Sequence, residues 1–136
     1  MKVYLSVPII ANRSLDRARL IAEVIVSAGH EVTSPWVLDA PEADRPSVSD
    51  VFQRDTHGAE SSDAIVADVT EPSIGVGMEI MAAHKAGKRV ILVMRKGRAA
   101  SRMLMHMQPK DVVEYHDDPS LITNLSSVLS DRTNLK

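Results

Sequence analysis

The residues most able to do chemistry lie in the stretch Glu71-Pro72-Ser73-Ile74-Gly75-Val76-Gly77-Met78-Glu79. Gly75 and Gly77 let a backbone approach a ligand closely and tolerate positive φ. A helix expected from about Val76 to Ala86, stopped by Gly87, presents free N–H groups and the positive end of its dipole at the same place. Such a helix start suits an anion, and Ser73 adds a hydroxyl. Glu79, expected in the first turn, points back toward that crevice. A carboxylate there can stabilise a developing positive charge or capture it covalently. The plainer reading makes Glu79 a dipole partner and Ser73 a helix cap. Asp55 is the second carboxylate, on an expected helix among Gln53, Arg54 and His57. By residue type alone a solvated aspartate is the commoner case. His57, two positions on, falls on another helix face.

The elements that position these groups follow from periodicity. Val3 to Val7 is a short apolar run ended by Pro8, as a buried strand reads. Ser14 can cap a helix whose buried stripe is Leu15, Ala18, Ile21, Ala22, Ile25 and Ala28, with Gly29 as its stop. Glu31 to Ser34 reads as a second strand, and 36–47 as a loop that contains Trp36. Ser47 to Ser61 reads as a helix, although Gly58 counts against it. Ala64 to Ala67, Arg89 to Met94 and Val112 to Tyr115 complete the strands. Ala100 to His106 is a candidate short helix, and Asp118-Pro119 opens a terminal one. Strands alternating with helices imply a mostly parallel sheet covered on both faces. The expectation is a single domain over 1–136, a flavodoxin-like (Rossmann-like) three-layer α/β fold with five strands. Ligands of such sheets bind beyond the carboxyl ends of the strands. The loops after Val7, Ala67 and Met94 would then form the site.

The composition narrows the partners. A chain of 136 residues with net charge −2 offers no basic face for a nucleic-acid backbone, whereas a few local donors suffice for a small phosphorylated ligand. The absence of cysteine excludes disulfides, thiol catalysis and cysteine metal sites, and fits a cytoplasmic protein. The five histidines show no ligand spacing with acidic partners, so neither a metal nor a cofactor is expected. No apolar run approaches the length of a membrane span.

The run Asp63-Ala64-Ile65-Val66-Ala67-Asp68-Val69-Thr70-Glu71-Pro72-Ser73-Ile74-Gly75-Val76-Gly77-Met78-Glu79-Ile80 resembles the signature of the nucleoside 2-deoxyribosyltransferase superfamily. It is most similar to the 2′-deoxynucleoside 5′-phosphate N-hydrolases. The resemblance implies that Glu79 is the nucleophile and Asp55 its partner carboxylate, and that Ser73, Gly75 and Gly77 lie at the phosphate. Gly97-Arg98-Ala99-Ala100-Ser101-Arg102-Met103 resembles a second family segment. It implies a homodimer in which Ser101 and Met103 reach the partner's site; the alternative for Met103, Met105 and Met107 is a buried stripe within one chain. The first loop, Ser6-Val7-Pro8-Ile9-Ile10-Ala11-Asn12-Arg13, departs from the family's glycine- and arginine-rich form. Asn12 and Arg13 are its plausible polar contacts, and Ile9 or Ile10 a cover for the base. Met78 and Met81 also depart, replacing a tyrosine and a glycine. Trp36 either stacks on a base or belongs to the core.

The implied reaction cleaves the N-glycosidic bond of a 2′-deoxynucleoside 5′-monophosphate through a glycosyl-Glu79 intermediate. Asp55 would either position Glu79 or protonate the leaving base. Base exchange between nucleosides and hydrolysis of ribonucleotides are the alternatives within the fold. A nucleotide-binding module without catalysis is the alternative outside it.

Overall fold

The computed structural model describes residues 1–9, 15–39, 46–98 and 101–131. Its five strands are β1 (Lys2–Ser6), β2 (Glu31–Val32), β3 (Ala64–Asp68), β4 (Arg89–Arg95) and β5 (Asp111–Tyr115). They alternate with α1 (Leu15–Ser27), α2 (Val48–Ser61), α3 (Ile74–Lys85), α4 (Arg102–His106) and α5 (Asp118–Ser130). The strand order is β2-β1-β3-β4-β5 and every pairing is parallel, which is the expected flavodoxin-like order. The chain leaves β1 in one direction to β2 and leaves β3 in the other to β4. The crevice at their carboxyl ends is therefore the switch point of the sheet.

Side chains alternate across each strand, so the sheet feeds two cores. Val3, Leu5, Val66, Ile91 and Val93 pack against Ile21 and Ile25 of α1 and Leu121 and Leu125 of α5. Tyr4, Ile65, Ala67 and Leu92 pack on the other face against Ala59 of α2 and Val76, Ile80 and Ala83 of α3. At these sites each buried aliphatic side chain contributes about 1.5–3 kcal/mol.

Several boundaries differ from the sequence reading. β2 stops at Val32 rather than Ser34. The Ser34 hydroxyl accepts from the Leu5 amide and donates to the Leu5 carbonyl, each at 2.8 Å, and so replaces the strand ladder. Pro35, which has no N–H, then opens a 3₁₀ turn, Pro35–Leu38, where a loop was expected. The cap of α5 is Asp117 rather than Asp118, because Asp117 exchanges reciprocal bonds with Ser120. Ser47, read as the first residue of α2, is its cap, accepting from the Asp50 amide at 3.1 Å. Ser14 lies outside the described residues.

Gly58 is a requirement of packing. A Cβ added there would stand 2.6 Å from Tyr4 Cε2 and 2.9 Å from Cδ2, and the Tyr4 ring is fully buried. Alanine at position 58 gains helix propensity but forces the ring away. Gly58→Ala is expected to destabilise the fold by about 1–3 kcal/mol, measured by urea denaturation. Unchanged or increased stability would show that the ring moves freely.

Candidate active site

Tyr4 and Ser6 are two residues apart on β1, so both turn toward α2 and α3. Both are fully buried, a polar pair alternating with the apolar Val3 and Leu5. On α3, Val76, Ile80 and Ala83 face the sheet, and Glu79 shares that face, three residues from Val76 and one from Ile80. Its carboxylate thus comes down on the carboxyl end of β1. Ser6 Oγ donates to Glu79 Oε2 at 2.5 Å. On α2, Asp55 lies one turn before the buried Ala59 and so faces the same crevice. Arg54 Nε donates to Asp55 Oδ1 at 2.8 Å, and its guanidinium lies 4.5 Å from the Trp36 ring centroid.

The loop after β3 is held by groups at the strand ends. Asp68 is buried; its Oδ2 accepts from Arg17 Nε at 2.7 Å and its Oδ1 from the Thr70 amide at 3.1 Å. The Thr70 hydroxyl is 2.9 Å from Tyr115 Oη and accepts from the Arg95 amide at 3.2 Å. The Asp68-Val69-Thr70 part of the signature therefore anchors the loop to α1, β4 and β5. It leaves the loop's later residues to meet a ligand.

α3 begins at Ile74, with Ser73 as its cap accepting from the Val76 amide at 3.3 Å, rather than near Val76. Glu79 consequently stands in the second turn, not the first. Gly75 and Gly77 are helical, and neither is among the positive-φ glycines Gly29, Gly87 and Gly97. Their use is space: a Cβ added at either would meet nothing within 4 Å. The N–H groups of Ile74 and Gly75 lie in the first turn and have no helical acceptor.

Burial dominates the electrostatics of Glu79 and raises its pKa. The Ser6 hydrogen bond, Arg54 and Tyr4 pull it down, while the Asp55 charge pushes it up; the result is about 7. Burial, then Glu79 and Asp55, raise the Tyr4 phenol far above its ordinary range, so Tyr4 stays protonated. Its hydroxyl is buried without a well-formed hydrogen bond, yet both carboxylates lie close enough to act on its proton. Among the described residues, two carboxylates, a fixed phenol, a serine donor and one guanidinium thus converge at the switch point. One carboxylate can attack an electrophilic carbon while the other handles a proton.

The remaining expected residues are spread around this centre. Ser101 is exposed and caps α4 without a side-chain hydrogen bond. Met103 is 77% exposed, so it is not part of a buried stripe; Leu104 and Met107 are the α4-region residues that reach the core. Ile9, in the first loop, is 55% exposed. Asn12 and Arg13 lie outside the described residues, as does Ile10. Trp36 packs edge-on to Tyr4 at 6.2 Å and carries Arg54 over its ring, so it belongs to the wall supporting Asp55. His57 is exposed. Among the described residues no group of three or more His, Asp or Glu side chains is placed to hold a metal ion. A groove of about 530 Å³ on the outer side of α2 and α3, lined by Phe52, Met78 and Met81 among others, includes neither carboxylate.

Sequence reasoning missed Tyr4, Ser6 and Arg54. The available signal was the polar pair Tyr4 and Ser6 on one face of β1.

Comparison with known proteins gives the family. A protein of Methanococcoides burtonii, provisionally named 2′-deoxynucleoside 5′-phosphate N-hydrolase 1, is 34% identical over 109 residues, covering 77% of this chain and 89% of its own. The chain belongs to the 2′-deoxynucleoside 5′-phosphate N-hydrolase family. A second N-hydrolase of the same provisional name, from Thermofilum pendens, is 33% identical over 138 residues and 95% of each chain. A Danio rerio protein named 5-hydroxymethyl-dUMP N-hydrolase is 35% identical over 69 residues, 49% of this chain and 48% of its own. No protein-family model matches. Two solved structures share the fold of this N-hydrolase family member. The Clostridium botulinum CMP N-glycosidase BcmB has a TM-score of 0.71 at 17% identity, covering 94% of this chain and 99% of that one. The 2-deoxyribosyltransferase of Bacillus psychrosaccharolyticus has a TM-score of 0.71 at 22% identity, covering 95% and 96%.

Proposed function

We propose that this chain hydrolyses the N-glycosidic bond of 2′-deoxynucleoside 5′-monophosphates, with Glu79 as nucleophile, to give free base and 2-deoxyribose 5-phosphate. The supporting observation is the half-buried Glu79 carboxylate held by Ser6 at the switch point, with Asp55 beside it on α2. In the first step a Glu79 oxygen bonds to C1′ as the C1′–N bond breaks. The bonding pair leaves on the base, which takes a proton from Asp55 or solvent. In the second step water bonds to C1′, gives up its proton, and the Glu79 carboxylate departs. A 2-deoxy sugar reaches the oxocarbenium-like transition state readily, because it lacks an electron-withdrawing hydroxyl beside the anomeric carbon.

The 5′-phosphate would rest on the N–H groups of Ile74 and Gly75, in the space that Gly75 and Gly77 leave open, with the Ser73 and Ser101 hydroxyls. Ile9 would cover the base. The chemistry needs no metal or cofactor. A cytoplasmic setting would supply the nucleotide, and among the described residues no helix is long and apolar enough to cross a membrane.

The working unit on this reading is a homodimer in which Ser101 and Met103 enter the partner's site. The exposed Met103, with Val48, Phe52, Ile74 and Met78 exposed along α2 and α3, supports it. Mixing inactive Glu79→Ala protein with an inactive Ser101→Ala/Met103→Ala protein should restore about a quarter of wild-type activity through mixed dimers with one intact site each. No recovery after exchange of subunits would argue for self-contained sites.

The direct test of the activity is release of free base from each deoxynucleoside monophosphate, with dGMP and AMP as the telling pair. Release from dGMP alone supports the reading. Release from AMP as well moves the protein to ribonucleotides. Release only when an acceptor base is added makes it a transferase, and binding without turnover makes it a nucleotide-binding module.

A further inference from the structure

We infer that Ser6 is a positioning residue for the nucleophile: its hydroxyl holds Oε2 of Glu79, so that Oε1 is the oxygen that bonds to the anomeric carbon. The inference rests on the reading of Glu79 as nucleophile and goes beyond it by assigning the two carboxylate oxygens.

Ser6 is the last residue of β1, fully buried, and its backbone is paired in parallel register with Ala67 of β3. Glu79 sits on a different element, and the final torsion of a glutamate side chain is broad and roughly two-fold. Without a clamp the two oxygens would exchange freely. The hydrogen bond from Ser6 Oγ to Oε2 removes that freedom. Among the described residues, the other groups facing Glu79 from the packed elements are Tyr4 on β1 and Arg54 and Asp55 on α2. Of these and Ser6, Ser6 makes the direct, well-formed hydrogen bond to the Glu79 carboxylate.

An ionised carboxylate accepts a hydrogen bond more strongly than an ester carbonyl does. Ser6 therefore favours the ionised nucleophile before attack. It also favours the departing carboxylate when water releases the sugar. Losing the hydroxyl should hurt most at acid pH and in the second step.

The test compares wild type with Ser6→Ala, and with Ser6→Cys, which is close in volume to serine and a poor donor. The acid limb of kcat/KM should move to higher pH, with a loss of about tenfold at pH 6 and less than about threefold at pH 9. Rapid-quench experiments should show a burst of free base followed by slower turnover, absent in wild type. A variant with the wild-type pH profile and no burst overturns the inference. Glu79→Gln run in parallel separates the two readings. If it keeps base release, the nucleophile assignment fails. If it is inactive while Ser6→Ala behaves as wild type, only the role of Ser6 fails.

Discussion

Glu79→Gln is expected to lower base release on the order of 10⁴-fold and, in the same protein, to raise stability above pH 7. The first effect follows from removing the nucleophile while leaving the fold around it. The second follows from burial. Glu79 is pushed from an ordinary 4.5 to about 7 in the folded chain, chiefly by desolvation. The folded state therefore binds a proton more tightly than the unfolded one. The resulting stabilisation is complete below about pH 4.5 and is lost as pH rises through about 7. Ionised Glu79 thus costs the fold up to about 3 kcal/mol at pH 8, and glutamine avoids that cost. Urea denaturation at pH 4 and pH 8 checks this: the variant should gain at pH 8 and not at pH 4. Equal destabilisation at both values would make the carboxylate a structural group and weaken its assignment as nucleophile. A destabilising charge retained where chemistry needs it is the usual form of a stability–activity trade-off.

Asp55→Asn is expected to reduce turnover of dGMP by about 10²–10³-fold, within the range of a lost general acid. The substitution nearly preserves shape, and the oxygen that accepts from Arg54 Nε can remain in place. The two roles open to Asp55 separate with a base that leaves without a proton. N7-methylated dGMP already carries the positive charge that protonation would supply. If Asp55 is the acid, the variant should cleave this substrate at close to the wild-type rate. If Asp55 only orients Glu79 through their mutual field and Tyr4, the loss should be as large on the methylated substrate.

The strand order and the parallel sheet were legible in the sequence because they rest on local periodicity; Glu79 stood out through one long motif, and Asp55 only through the family resemblance. Val90 to Val93 could only be a buried strand, and β-α alternation left few topologies. What escaped was set by contacts distant in sequence. Ser6 and Glu79 are 73 residues apart, and no pattern within β1 or α3 announces their bond. The start of α3 was misplaced because glycines read as loop, whereas the Ser73 cap carries the helix through them. Gly58 counted against a helix for the same reason, although its role is to admit the Tyr4 ring. For Trp36 the sequence leaves base stacking and a core place equally open, because the contact with Arg54 that fixes its place joins distant segments.

A double displacement through Glu79 is read from the configuration of a trapped product. Free 2-deoxyribose 5-phosphate loses its anomeric information by ring opening, but a methyl glycoside does not. Turnover of a deoxynucleoside monophosphate in buffer containing methanol, read by proton NMR, should give the methyl β-glycoside, with the configuration of the substrate retained. The α-glycoside would mean a single displacement, with Glu79 serving water as a base and forming no bond to the sugar, and would contradict the account.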